Sequence, residues 1–183
     1  MTHHRRRNNG IDPSKINETV ELSPAQRYAA FKQTQAKQRT VAAEFARSMP
    51  FELDEFQMQA NDALEAGDNV LVAAPTGAGK TVAADFAIYL AQTRNVKAFY
   101  TTPIKALSNQ KYHDLVDQYG MDKVGLLTGD TSINSEADIV VMTTEVLRNM
   151  LYEHSVTLEA LRYVILDEVH YLADRFRGQV WEE

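Results

Sequence analysis

The chain has 183 residues, 44% hydrophobic and 24% charged, with no cysteine and a formal net charge of −6. That is enough chain for one sizeable core and some extra. It excludes disulfides, cysteine-ligated zinc, iron–sulfur clusters and thiol catalysis, and it fits a reducing, cytoplasmic compartment. No apolar run reaches the roughly eighteen residues of a membrane-spanning helix. Residues 1–50 carry nine Lys/Arg against four Asp/Glu, and the remainder ten against twenty-one. The acidic main body gives bulk charge no part in nucleic-acid binding, so any such role must rest on motifs.

Residues 1–22 read as a disordered basic arm, with Arg5-Arg6-Arg7, Asn8-Asn9-Gly10 and Asp12-Pro13. No apolar stretch follows the arginines, so they do not open a secretory signal. Residues 23–49 read as a helical extension. Ser23-Pro24 is a helix start, the helix runs to about Arg47, and Met49-Pro50 stops it. From residue 50 strands and helices alternate. Asp54 caps a helix through Ala66, which Gly67 ends. Val70 to Ala74 reads as a short buried strand, Thr81 to Gln92 as a helix and Val96 to Thr101 as a strand. Pro103 to Tyr119 is a helix ended by Gly120. Val124 to Leu127 and Ile139 to Met142 are strands, Thr143 to Leu151 a helix, and Tyr163 to Asp167 a continuous apolar strand. Such alternation predicts an α/β fold, a mostly parallel sheet with crossover helices on both faces. Ligands then sit at the carboxyl ends of the strands.

Two segments carry chemistry. Ala74-Pro75-Thr76-Gly77-Ala78-Gly79-Lys80-Thr81 stands between a predicted strand and a predicted helix. Small residues there let backbone N–H groups face phosphate oxygens, with a helix start behind them. Lys80 would reach the β- and γ-phosphates of ATP, and the Thr81 hydroxyl would sit on Mg²⁺. The strict pattern has Gly first, where this chain has Ala74. Asp167 and Glu168 end a strand read as buried, 87 residues after Lys80. Asp167 would hold Mg²⁺, usually through water, and Glu168 would polarise the attacking water as general base.

The same residues, with others in order, resemble the superfamily 2 helicases. Asp167-Glu168-Val169-His170 resembles the DEVH variant of the DEAD/DEAH box, and Ala74 is the form of the loop seen in that superfamily. Residues 101–112, Thr101-Thr102-Pro103-Ile104-Lys105 onward, look like motif Ia. Thr128-Gly129-Asp130 looks like motif Ib, and residues 142–148 like the adjacent strand-gripping motif. Residues 51–57, ending in Gln57, resemble the adenine-recognition segment. Residues 174–183 resemble the stretch after the box in the superkiller/antiviral group of RNA helicases, exosome-associated enzymes and their bacterial relatives.

The resemblance spans roughly residues 50–183 and implies a first RecA-like domain, incomplete at its C-terminus. It implies an ATP-dependent 3′-to-5′ RNA helicase, with single-stranded RNA (or DNA) and the RNA-degradation machinery as partners. A DNA-repair type helicase and an ATP-gated scaffold that does not unwind are the alternatives. Gln57 would read adenine. Thr102, Pro103, Lys105, Thr128, Gly129, Thr143 and Thr144 would grip one strand by phosphate and sugar. The same threonines also suit N-caps and turns. His170 would couple the ATP site to a second motor domain. Later motifs of the family, including its arginine fingers, do not occur in these 183 residues. The chain alone is therefore expected to bind nucleotide weakly, hydrolyse it barely and not unwind a duplex.

Overall fold

The computed structural model describes residues 23–26, 28–29, 32, 39–153 and 155–173. The predicted basic arm, His154 and residues 174–183 lie outside the described residues. The chain divides into two compact units, Met1–Thr40 and Val41–Glu183. In the first, residues 24–26 are helical. The Ser23 N–H donates to Gln26 Oε1 and the Gln26 N–H to Ser23 Oγ, a reciprocal cap that confirms the predicted helix start. The single helix expected to run to Arg47 is not continuous. Residues 39–40 form a turn, and a new helix, α1, spans Val41–Ser48. Its first N–H groups, of Val41 and Ala42, donate to the Glu65 carboxylate at 3.0 and 2.7 Å. That carboxylate satisfies two otherwise orphan donors and complements the helix dipole.

The second unit continues with α2 (Glu55–Ala66), α3 (Thr81–Thr93), β1 (Lys97–Thr102), α4 (Lys105–Tyr119) and β2 (Val124–Thr128). Then follow β3 (Thr131–Ile133), β4 (Ile139–Thr143), α5 (Thr144–Tyr152) and β5 (Leu161–Leu166). Gly67 ends α2 with φ 94°, its N–H donating to Leu64 O and the Asp68 N–H to Ala63 O. The sheet order is β3-β2-β4-β1-β5. β2, β4, β1 and β5 run parallel, and β3 is antiparallel to β2. Side-chain alternation sends Tyr100, Val124, Leu126, Ile139 and Val141 to one face, where they pack with Ile88, Tyr112 and Leu115. Phe99, Val140 and Met142 pack on the other face with Ala137 and Leu147. A third cluster joins α1 to α3 through Ala42, Phe45, Val82, Phe86 and Leu90. Among the described residues no helix is long and apolar enough to cross a membrane.

Three expectations change. Val70 to Ala74 is not a strand. The segment lines a cavity of about 1170 Å³ together with β5, and it pairs with none of the five strands of the sheet. β5 itself is not buried. It is an edge strand with Val164 44% and Leu166 48% exposed. Residues 162–166 of this strand border the cavity, as does Leu71, which is 79% exposed. Finally, β3 was not foreseen. Asn134, at φ 44°, follows it and donates through Nδ2 to Met121 O and Asp122 O.

The hairpin of β2 and β3 depends on a close approach. A Cβ at Gly125 would lie 2.1 Å from the Asn134 carbonyl oxygen. Gly125→Ala is expected to destabilise the fold by about 1–3 kcal/mol, the scale of forced overpacking, in urea unfolding.

Candidate nucleotide and strand-binding site

The loop from Ala74 to Thr81 is shaped by two glycines. Gly77 has φ 83° and Gly79 φ 75°, conformations that side chains avoid. The Ala78 N–H donates to Pro75 O, and α3 opens directly behind at Thr81. Lys80 turns back on its own loop, Nζ donating to Ala74 O at 2.8 Å and Pro75 O at 3.3 Å. Gln57 is 4% exposed, so it is not a helix-surface glutamine. Its Oε1 accepts from the Asp54 N–H at 2.8 Å, and its Nε2 donates to Gly79 O at 3.0 Å. The residue expected to meet adenine is thus also the strut between α2 and the phosphate loop. Half of its amide capacity is used in this way.

The acidic pair follows β5. The Asp167 N–H donates to Thr101 O at 3.0 Å, which continues the ladder one residue beyond the strand. Asp167 Oδ1 accepts from the Glu168 N–H, and Oδ2 from the Tyr100 hydroxyl at 2.7 Å. Burial, and then the Asp167 charge, push the Tyr100 phenol far above its ordinary range. Glu168 has φ 56°, a left-handed conformation rare outside glycine and concentrated at functional sites. Glu168 Oε2 and His170 Nδ1 are 2.9 Å apart, and the His170 ring lies against Tyr171. Gly77, Gly79, Lys80, Thr81, Asp167, Glu168 and His170 all line the one cavity of about 1170 Å³.

These donors fit a nucleotide triphosphate with a divalent cation. Two positive-φ glycines lead into the N-terminus of a 13-residue helix, a ready anion site. A hydroxyl and two carboxylates line the same space as the lysine, which is the hard-oxygen set that Mg²⁺ takes.

The other named residues form a row at the carboxyl ends of three adjacent strands. Thr102 and Thr143 are register partners on β1 and β4, and Thr128 ends β2. Several of the hydroxyls along this row are taken up within the fold. The Thr102 hydroxyl donates to Ile104 O and lies 2.7 Å from Ser108 Oγ. Thr144 Oγ1 donates to Thr102 O, and Thr128 Oγ1 to Asp130 Oδ1. Thr143 is the N-cap of α5. Lys105 is exposed and ion-paired to Asp130. That lysine, and then the Thr128 hydroxyl, hold the Asp130 carboxyl below its ordinary range. Pro103 is half-buried between Thr102 and Lys105, and Gly129 is exposed. Phe51, the first residue of the segment resembling adenine recognition, is 51% exposed, and His113 lies on the surface against Tyr112.

Residues 54–183 match the DEAD/DEAH box helicase family model. The chain belongs to this family. It is 63% identical over 139 residues to "Probable helicase HelY" of Mycobacterium tuberculosis, covering 76% of this chain and 15% of that protein. It is 53% identical over 138 residues to "Antiviral helicase SKI2" of Saccharomyces cerevisiae, covering 75% of this chain and 11% of that protein. Among solved structures it resembles a hypothetical ATP-dependent RNA helicase from Sulfolobus tokodaii, with a TM-score of 0.58 and 26% identity. That match covers 78% of this chain and 45% of the other. The chain therefore spans about 11–15% of the length of these curated relatives. The recognised group, a superfamily 2 helicase of the Ski2 type, and the RecA-like fold agree with these matches.

Sequence reading missed Tyr100, Lys111 and Asp85. Lys111 Nζ sits 2.9 Å from Asp85 Oδ1 and 4.9 Å from the centre of the Tyr100 ring. They lie on three elements, 11 to 26 residues apart, and although Lys111 falls within the segment resembling motif Ia, no spacing ties it to the other two. Of the residues that sequence did indicate, Gln57 has the clearest structural load. Gln57→Ala is expected to cost about 1 kcal/mol of stability, the scale of a lost capping bond, and to weaken nucleotide binding, as calorimetry would show.

Proposed function

We propose that the full-length protein is an ATP-dependent RNA helicase whose ATP site is built from the two segments described above. One observation carries this reading. The phosphate loop and the Asp167-Glu168 pair, with Lys80 and Asp167 87 residues apart in sequence, line one cavity along the β5 edge of the sheet.

In this reading Gly77, Ala78, Gly79 and Lys80 would turn backbone N–H groups to the phosphates, Ala78 exchanging its bond to Pro75 O. Lys80 exchanges its two carbonyl partners for phosphate oxygens. Thr81 and Asp167 would hold Mg²⁺. Glu168 accepts a proton from the attacking water, and His170, beside it, links this event to the rest of the motor. Bound Mg-ATP supplies the phosphoryl group and the cation that neutralises charge as it transfers. Gln57 meets the adenine with the half of its amide left unused.

The strand-contacting assignment is Thr102, Pro103, Lys105, Thr128, Gly129, Thr143 and Thr144. Its support is their common row along β1, β4 and β2. Local hydroxyls and N–H groups at strand-to-helix corners can hold a phosphodiester without a broad basic surface. RNA as substrate, and 3′-to-5′ movement, rest on the superkiller-group resemblance. The likeness to a structure named as an RNA helicase adds to the case for RNA. The RNA-degradation machinery is the partner class the same resemblance favours.

Glu168→Gln in the full-length protein is expected to keep ATP affinity and lower turnover by about 10²–10⁴-fold, the range of a general base. Lys80→Ala should lose binding and turnover together. Turnover near wild type in Glu168→Gln would remove Glu168 from the role of base. ATP hydrolysis should be stimulated more by single-stranded RNA than by single-stranded DNA. The opposite order would replace the RNA assignment with a DNA one.

A further inference from the structure

We propose that Tyr100 is a positioning residue for the Asp167 carboxylate, held in place by the Lys111–Asp85 ion pair. The inference rests on the reading of Asp167 given above and adds a residue to it.

The geometry has three parts. First, Tyr100 pairs with Ile165 in the parallel ladder, and Asp167 lies two residues further on. Two strand residues span roughly 7 Å, and alternation returns to the same face. The phenol covers that distance, and its hydroxyl donates to Asp167 Oδ2 at 2.7 Å. Second, the ring cannot drift. Tyr100 is 1% exposed in the core between α4 and the sheet, packed with Tyr112 and Leu115. Third, Lys111 from α4 lies over the ring and pairs with Asp85 of α3, one turn beyond Thr81. Asp85, Lys111, Tyr100 and Asp167 thus join the helix behind the phosphate loop, the helix behind motif Ia and the acidic box.

The chemistry follows from the donor inventory. A carboxylate at a strand end can rotate about its terminal bond. Here Oδ1 is fixed by the Glu168 N–H and Oδ2 by the phenol. A phenol is protonated throughout the neutral range and so is a constant donor to a carboxylate. Asp167 keeps its remaining lone pairs directed in one orientation. An ordinary core tyrosine would need only one polar partner at its rim, with no consequence for catalysis. A carboxylate locked at both oxygens is what a ligand for a hydrated cation requires.

The test uses the full-length protein with single-stranded RNA. Tyr100→Phe keeps the ring and removes only the hydroxyl. It is expected to fold with a Tm close to wild type and to bind ATP with unchanged affinity. Turnover should fall by about tenfold, the scale of one charge-assisted hydrogen bond. The Mg²⁺ concentration for half-maximal ATPase should rise, while KM for ATP stays level. Lys111→Met, which keeps the stem and drops the charge, should move both quantities in the same direction by a smaller factor. A purely structural tyrosine would shift the Tm and leave the Mg²⁺ dependence alone. Asp167→Ala is the control. If it is inactive while Tyr100→Phe matches wild type in turnover and Mg²⁺ dependence, the Tyr100 inference is overturned and the Asp167 reading stands. If Asp167→Ala retains turnover, the Asp167 reading itself fails.

Discussion

Parallel pairing of β1, with β4 on one side and β5 on the other, fixes where the chemistry can be. Four strands run the same way, so their carboxyl ends share one border of the sheet. The register sets the details. Thr102 stands beside Thr143, and Thr101 beside Leu166, which puts Asp167, one step past the end of β5, level with Thr102 at the end of β1. A slip of one residue would turn Tyr100 to the opposite face and remove its hydroxyl from Asp167. Such a slip is opposed by burial on both faces, because Phe99 and Tyr100 are each about fully buried on opposite sides. The core thereby holds the site in register without contributing a catalytic group.

The threonine row carries structure at the border where strand contact is proposed. Thr102 and Thr144 direct hydroxyls inward, to Ile104 O and Thr102 O, and Thr128 bonds the exposed Asp130 carboxylate. These bonds tie β1 to β4 and stiffen the corner after β2. What the row offers outward is chiefly backbone, the exposed Gly129 and the Lys105 ammonium, which already has Asp130 as its partner. A phosphate arriving there would compete with a surface carboxylate. Such a pair is weak in water and readily exchanged. An acidic domain can therefore receive an acidic polymer by local substitution, with no need for a basic field.

Elements whose signals are local were legible in the sequence. Gly77 and Gly79 were read as supplying backbone freedom, and both have positive φ. Asp54 and Gly67 bound α2 as expected, and Ser23 caps its helix through Gln26. Features that depend on a partner were not legible. Val70 to Ala74 has strand composition, but a strand exists only with a ladder, and the segment pairs with none of the five strands of the sheet. Tyr163 to Leu166 looked buried because it is apolar, yet hydrophobicity does not say which neighbours are present. Thr131–Ile133 is too short and polar to stand out, and it is made a strand by β2 and by Asn134. The turn at 39–40 was hidden because the carboxylate that starts the next helix is Glu65, more than twenty residues away. The Asp85–Lys111–Tyr100–Asp167 chain is tertiary throughout.

The departure at the first position of the phosphate loop has a physical account. A glycine is required where φ is positive or where another backbone approaches closely. Among the described residues the loop meets the first condition at Gly77 and Gly79 but not at Ala74. A Cβ at Gly79 would also meet Gln57 Nε2 at 2.6 Å, so this glycine serves the strut from α2 as well as the loop. Ala74 contributes its carbonyl, which accepts from Lys80 Nζ, and any residue can supply a carbonyl. The methyl at residue 74 thus lies at a position where the backbone does not call for a positive φ. The two glycines that remain are the two whose conformations the cradle needs.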